Sequence, residues 1–158
     1  MAEKPTPEDV ASWQRRLASQ ANNRAWELAE ALRRSPGEDE EMLQAAYAAM
    51  YFWKIVGKPG NQAHAALLLA HVHALLKLPK PAADYLSKSL PYFTQSDCTP
   101  SELAFAHAIA ANVASAEGNA EAHASHYSQA QTIIAQVVNP KERELFDATL
   151  RVIPAPGL

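Results

Sequence analysis

Six histidines are the side chains of this chain best suited to acid–base or ligand chemistry near neutral pH. His64 and His71 stand seven residues apart, which puts both on one face of a helix, while His73 points away from it. His123 and His126 form an i,i+3 pair that can chelate a metal ion if its helix presents both to one side. A small-molecule or metal site would draw on His64, His71 and His107. Two histidines without a nearby Asp, Glu or Cys make a poor metal site, so no metal and no cofactor is expected. The chain holds no HExxH, no ExxH, no GxGxxG and no GxSxG. Val56-Gly57-Lys58-Pro59 lacks the upstream glycine of a phosphate loop, and proline replaces the magnesium-binding hydroxyl. Cys98 stands in a predicted loop among polar residues and reads as an exposed thiol. The expectation is a protein that is not an enzyme.

These side chains must be positioned by helices. Of 158 residues, 32 are alanine, and Val, Ile and Thr are few, which argues for helix and against a β-sandwich or barrel. The length suits one domain spanning 1–158 with a real core. Fourteen Lys and Arg against 17 Asp and Glu leave a net charge of −3, the wrong balance for a nucleic-acid binder. One cysteine cannot form an internal disulfide. The opening MAEKPTPEDV lacks an apolar signal-peptide core. The most apolar stretch, 63–78, contains three histidines and a lysine, too polar to span a bilayer. A cytoplasmic protein that binds neither membrane nor nucleic acid is the expectation.

The prolines mark where helices begin. Thr6-Pro7-Glu8-Asp9, Ser35-Pro36-Gly37-Glu38, Thr99-Pro100-Ser101-Glu102 and Asn139-Pro140-Lys141-Glu142 each place a capping side chain, then proline, then an acid at the third position. Asn61 and Pro81 read as two more starts, and Gly118-Asn119 as a stop and a start. The spacing predicts seven helices, near 7–34, 37–56, 61–77, 81–94, 100–117, 120–138 and 140–151, with the fourth bent or shortened by Pro91. Short connections make neighbours antiparallel, in pairs spanning 7–56, 61–94 and 100–138 with a final helix.

On the first helix Val10, Trp13, Leu17, Ala21, Leu28 and Leu32 form one apolar stripe, expected to face the core. Trp26 falls opposite it, as an interface anchor or against a neighbouring segment. The second and third helices are apolar nearly all round, with Tyr47, Tyr51 and Trp53 expected in the core. Helices four to seven read as one-sided, with Leu145, Thr149 and Val152 as the last stripe. Arg33-Arg34 and the acids after it read as solvated helix ends.

Helices three–four and five–six overlay at an offset of about 41 residues, bringing Ala83 onto Ala124 and Leu86 onto Tyr127. With Ala63 as its first residue, the first unit resembles a tetratricopeptide repeat (TPR): small residues fall at Ala70, Ala82 and Ser89, where paired helices approach closely. In the second unit Ala111 and Ala130 fit, and His123 stands where alanine is usual. The whole chain is also similar to an uncharacterised family of small bacterial TPR-like helical proteins. That similarity rests on Tyr51-Phe52-Trp53, Val56-Gly57-Lys58-Pro59-Gly60-Asn61, Leu103-Ala104-Phe105-Ala106, Glu142-Arg143-Glu144-Leu145-Phe146 and Ile153-Pro154. It implies an all-α, right-handed superhelical stack of helix pairs and supplies no activity. In that register the concave groove is lined by His64, Leu67, His71, Ala74 and Leu75, then Phe105, Ala108, Asn112, Ser115 and Ala116. This apolar set, with few donors and no Lys/Arg cluster, suits a peptide or a partner protein bearing apolar side chains. The alternative is that the C-terminal helix or a second subunit fills the groove; the candidate assembly is a homodimer using Trp26.

Overall fold

A proline or a capping side chain relieves the first turn of every helix. A computed structural model describes residues 3–95 and 97–157; Met1, Ala2, Leu158 and Ser96 of the loop before Thr99 lie outside the described residues. Among the described residues the chain forms seven α-helices and no strand: α1 (Pro7–Ala29), α2 (Pro36–Val56), α3 (Pro59–Leu75), α4 (Pro79–Phe93), α5 (Pro100–Glu117), α6 (Ala120–Ile134) and α7 (Pro140–Leu150). Thr6, Ser35 and Thr99 close capping boxes with Asp9, Glu38 and Glu102. Asn139 accepts instead from the Lys141 N–H, so Glu142 closes no box. Helices α3 and α4 start two residues earlier than Asn61 and Pro81, because Pro59 and Pro79 already satisfy the first position. Asn61 then accepts the Lys58 N–H at 3.0 Å. Pro91 does not end α4; it lies in the last turn, where a missing N–H removes a single ladder bond. The ends of α1 and α6 fall short of 34 and 138. Arg34 donates to the Leu28 and Ala31 carbonyls at the end of α1. After α6, tight i→i+3 bonds at Gln136 and Val137 turn the chain and carry Val137 into the core.

Gly118 ends α5 in the left-handed conformation at φ 74°. A Cβ there would meet nothing within 4 Å. Gly118→Ala should therefore cost only the strain of a Cβ in the left-handed region, about 1 kcal/mol, read as a fall in Tm of about 3 °C in thermal unfolding. A larger fall would mean a contact at that turn.

The helices pack as hairpins, α1 with α2, α3 with α4 and α5 with α6. One layer runs α1, α3, α5, α7, each touching the next; α2, α4 and α6 form the other, with α2 also on α3 and α4 on α5. Neighbours on both sides bury α3 and α5 almost all round. That corrects the expectation for α5, read as one-sided. It also corrects α2: with no pair before it, α2 buries only Met42, Ala46 and Ala49, and Tyr47, Tyr51 and Ile55 are exposed. Helix α1 likewise turns its small face inward. Ala18, Ala25, Leu28 and Ala29 are buried, whereas Val10, Trp13, Leu17 and Leu32 are exposed. Alanine lets the α1 and α2 backbones approach closely, which the bulky stripe would prevent. On α7, Phe146 and Thr149 are buried while Leu145 is 57% exposed. Ala70, Ala82, Ala111 and Ala130 are wholly buried. No helix among the described residues is long and apolar enough to cross a membrane.

Candidate interaction site

Helices α3 and α5 carry the ten groove positions on adjacent surfaces, but those positions do not form one open channel. His71 and Asn112 meet across the two helices, with the Asn112 amide 3.1 Å from His71 Nδ1. Both are buried, at 0% and 2% exposure, which corrects their placement on an open groove. They are 41 residues apart, the offset at which the third and fourth helices overlay the fifth and sixth in sequence. The amide N–H donates to Nδ1, which leaves the ring proton on Nε2, and Nε2 has no partner among the described residues. Burial, and next the positive Arg34, drive the His71 pKa down to about 3, so the ring is neutral.

Trp26 covers this pair. Its ring lies 5.7 Å from the His71 ring, centroid to centroid, and packs against both central core clusters. Of the two readings of Trp26, packing against a neighbouring segment is the one seen: α1 contacts α3, and the rotation that exposes the bulky stripe turns Trp26, opposite it, inward to a half-buried position.

On one side of the Trp26–His71–Asn112 plug lies an apolar pocket of about 260 Å³, lined by Trp26, His64, Leu67, Phe105 and Leu145 with Ser101, Glu102 and Glu142. Phe105 is held edge-on to Phe146 of α7, centroids 5.7 Å apart. His64 Nε2 lies 3.2 Å from Glu102. Burial raises the Glu102 pKa, but bonds from Thr99 and His64 outweigh it and hold the carboxyl below its ordinary range. The pocket thus pairs an apolar floor with a fixed negative charge. Sequence reasoning found His64, Leu67 and Phe105, and missed Ser101, Glu102, Glu142 and Leu145. Glu102 was visible as a helix cap, but nothing in the sequence says that α7 walls the pocket.

On the other side of the plug, Leu75 and Asn112 line a second cavity, and Ser115 faces a shallow one beside His123. The tail after α7 borders this half, where Arg151, Val152 and Pro154 line the second cavity. Ile153 is buried against Ala104, Ala108 and Ile134, and His123 donates from Nε2 to the Pro154 carbonyl at 2.7 Å.

The remaining histidines separate. His64 goes to Glu102, His71 to Asn112, and His107 to His126 with Nδ1 atoms 3.0 Å apart. So the His64/His71/His107 set does not converge, and His123 and His126 face different partners. Burial lowers both pKa values in the His107–His126 pair, and at His107 the charge of His126 adds to it. His73 donates from Nδ1 to the Leu69 carbonyl and accepts the Tyr47 hydroxyl on Nε2, with Tyr85 stacked on its ring. Among the described residues no group of three His, Cys, Asp or Glu is placed to hold a metal ion. The Cys98 thiol donates to the Tyr92 carbonyl at 3.0 Å, and burial raises its pKa, so it is half-buried and protonated rather than exposed and reactive. No family model, no curated protein and no solved structure matches the chain, so the geometry alone carries the functional reading.

Proposed function

We propose that the protein is a non-enzymatic interaction module, a TPR-like right-handed stack of helix pairs that binds a peptide or partner protein. The stacked hairpins and the 41-residue equivalence of His71 and Asn112 support that architecture. The observation that carries the binding reading is the pocket among α1, α3, α5 and α7, apolar in its floor and with carboxylates at Glu102 and Glu142. The plug at Trp26 limits recognition to this half of the groove. The pocket seats one apolar side chain, and the acids favour a Lys or Arg beside that anchor.

A random peptide library displayed on phage and selected against the whole chain tests this. Selected peptides should share one large apolar residue next to a basic one. Leu145→Lys, at an exposed position, should weaken them by about tenfold or more in calorimetric titration, and Glu142→Lys should select against the basic neighbour. Selection of nothing, or binding indifferent to Leu145→Lys, overturns the reading.

A further inference from the structure

Three cations from helix ends far apart in the sequence meet around one cavity. Arg34 follows α1, Lys77 follows α3 and Arg151 follows α7. With Leu32, Leu75 and Asn112 they line a space of about 290 Å³, in which no carboxylate takes part. The sequence showed no such cluster, because the members are 43 and 74 positions apart.

Basic residues at helix C-termini ordinarily complement the negative end of the dipole. That accounts for part of Arg34, which donates from Nη1 to the Leu28 and Ala31 carbonyls and from Nε to Asp39 at 2.6 Å. Its Nη2 has no partner among the described residues, and only 13% of the side chain is exposed. Neither Lys77 nor Arg151 makes a side-chain hydrogen bond or a close ion pair among the described residues; Glu30 is near enough to feel the charge of Arg151.

Lys77 also sits in a conformation that disfavours it. At φ 60° it is the only residue other than glycine with positive φ among the described residues. It closes α3 as Gly118 closes α5. Lys77 N–H bonds Ala74 O and Leu78 N–H bonds His73 O; Gly118 N–H bonds Ser115 O and Asn119 N–H bonds Ala114 O. The two caps are 41 residues apart, the same offset that relates His71 to Asn112. The fold therefore builds one turn twice, once with the residue it favours and once with a lysine whose side chain lines the cationic cavity. Backbone strain of this kind persists where the side chain has work to do.

We propose that this cavity is a binding site for a small oxyanion carrying two negative charges, a phosphate or a dicarboxylate, held by Lys77, Arg151 and the free Nη2 of Arg34. The Asn112 amide borders the site, so an occupant would brace the His71–Asn112 contact between α3 and α5. The site lies across the Trp26 plug from the partner pocket and stands whether or not that pocket takes a peptide.

The test uses the whole chain with inorganic phosphate, succinate, acetate and sodium chloride, each followed by calorimetric titration and by Tm at constant ionic strength. Phosphate or succinate should bind and raise Tm, and which one does so identifies the class of anion; acetate should bind about tenfold more weakly. Lys77→Gly carries the decisive split. It should raise Tm without ligand by about 3 °C, because strain is relieved, and weaken phosphate or succinate by about tenfold or more. Arg151→Gln should weaken binding similarly without the rise in Tm. Unchanged anion binding in Lys77→Gly, equal effects of chloride and phosphate, or no binding of either dianion to the unmodified chain would each overturn the proposal.

Discussion

Asn112→Ala should destabilise the protein by about 3 kcal/mol, in the range of a large core truncation and of a buried group left unpaired. Asn112 is 2% exposed, and its amide is the partner of His71 Nδ1. Removing it leaves a small void between α3 and α5 and strips the last hydrogen bond from a ring whose Nε2 already has none. The two helices are the centre of the fold, so no edge can relax around the change. Urea unfolding followed by tryptophan fluorescence measures it. The pair His71→Ala and Asn112→Ala should be strongly non-additive, because the second substitution removes a contact already lost. A cost below about 1 kcal/mol for Asn112→Ala would show that the two helices do not depend on this contact.

The second large effect is loss of stability in mild acid. His71 is neutral in the folded chain with its pKa driven down to about 3, and it regains an ordinary value near 6.5 when unfolded. Between those values the unfolded chain binds the proton and the folded chain does not. Stability from this group is therefore intact above pH 6.5 and falls as pH drops through the window from 6.5 towards 3, by up to about 1.4 kcal/mol per pH unit. His107 and His126, whose pKa values are also lowered, steepen the upper part of the same slope. Unfolding in urea at several pH values between 7.5 and 4.5 reads the slope directly. His71→Gln keeps an acceptor for Asn112 and does not titrate, so it should flatten the curve by about the share of one proton. An unchanged slope in His71→Gln would assign the acid sensitivity to other groups.

Local chemistry made much of the secondary structure legible. Pro7, Pro36, Pro100 and Pro140 begin helices because a proline in the first turn gives up no bond, and Thr6, Ser35 and Thr99 cap with the acids that follow them. The alanines at 70, 82, 111 and 130 are wholly buried, as small residues between closely packed helices are. The burial of whole faces was less legible. A helix wheel ranks positions by their own apolarity, while packing rewards close approach. So α1 buries Ala18 and Ala25 and exposes Trp13 and Leu17, and the aromatic run of α2 lies at an edge rather than inside.

The candidate sites divide the same way. His64 and Leu67 were readable because residues three apart share a helix face, and Phe105 because it stands 41 residues after His64, the offset at which the helix pairs overlay in sequence. Three things were decided only in three dimensions: the plug of Trp26, His71 and Asn112, the wall that α7 adds to the apolar pocket, and the meeting of Arg34, Lys77 and Arg151. The sequence by itself determined an all-helical chain, where most of its helices begin, and which small residues can lie between them, because each depends on bonds within a turn or on the volume of a single side chain. The tertiary structure decided where an apolar pocket stays open beside Trp26 and where charge gathers, because those depend on how far each hairpin rotates and shifts against the next, a balance of packing over the whole fold that no single stretch of sequence holds.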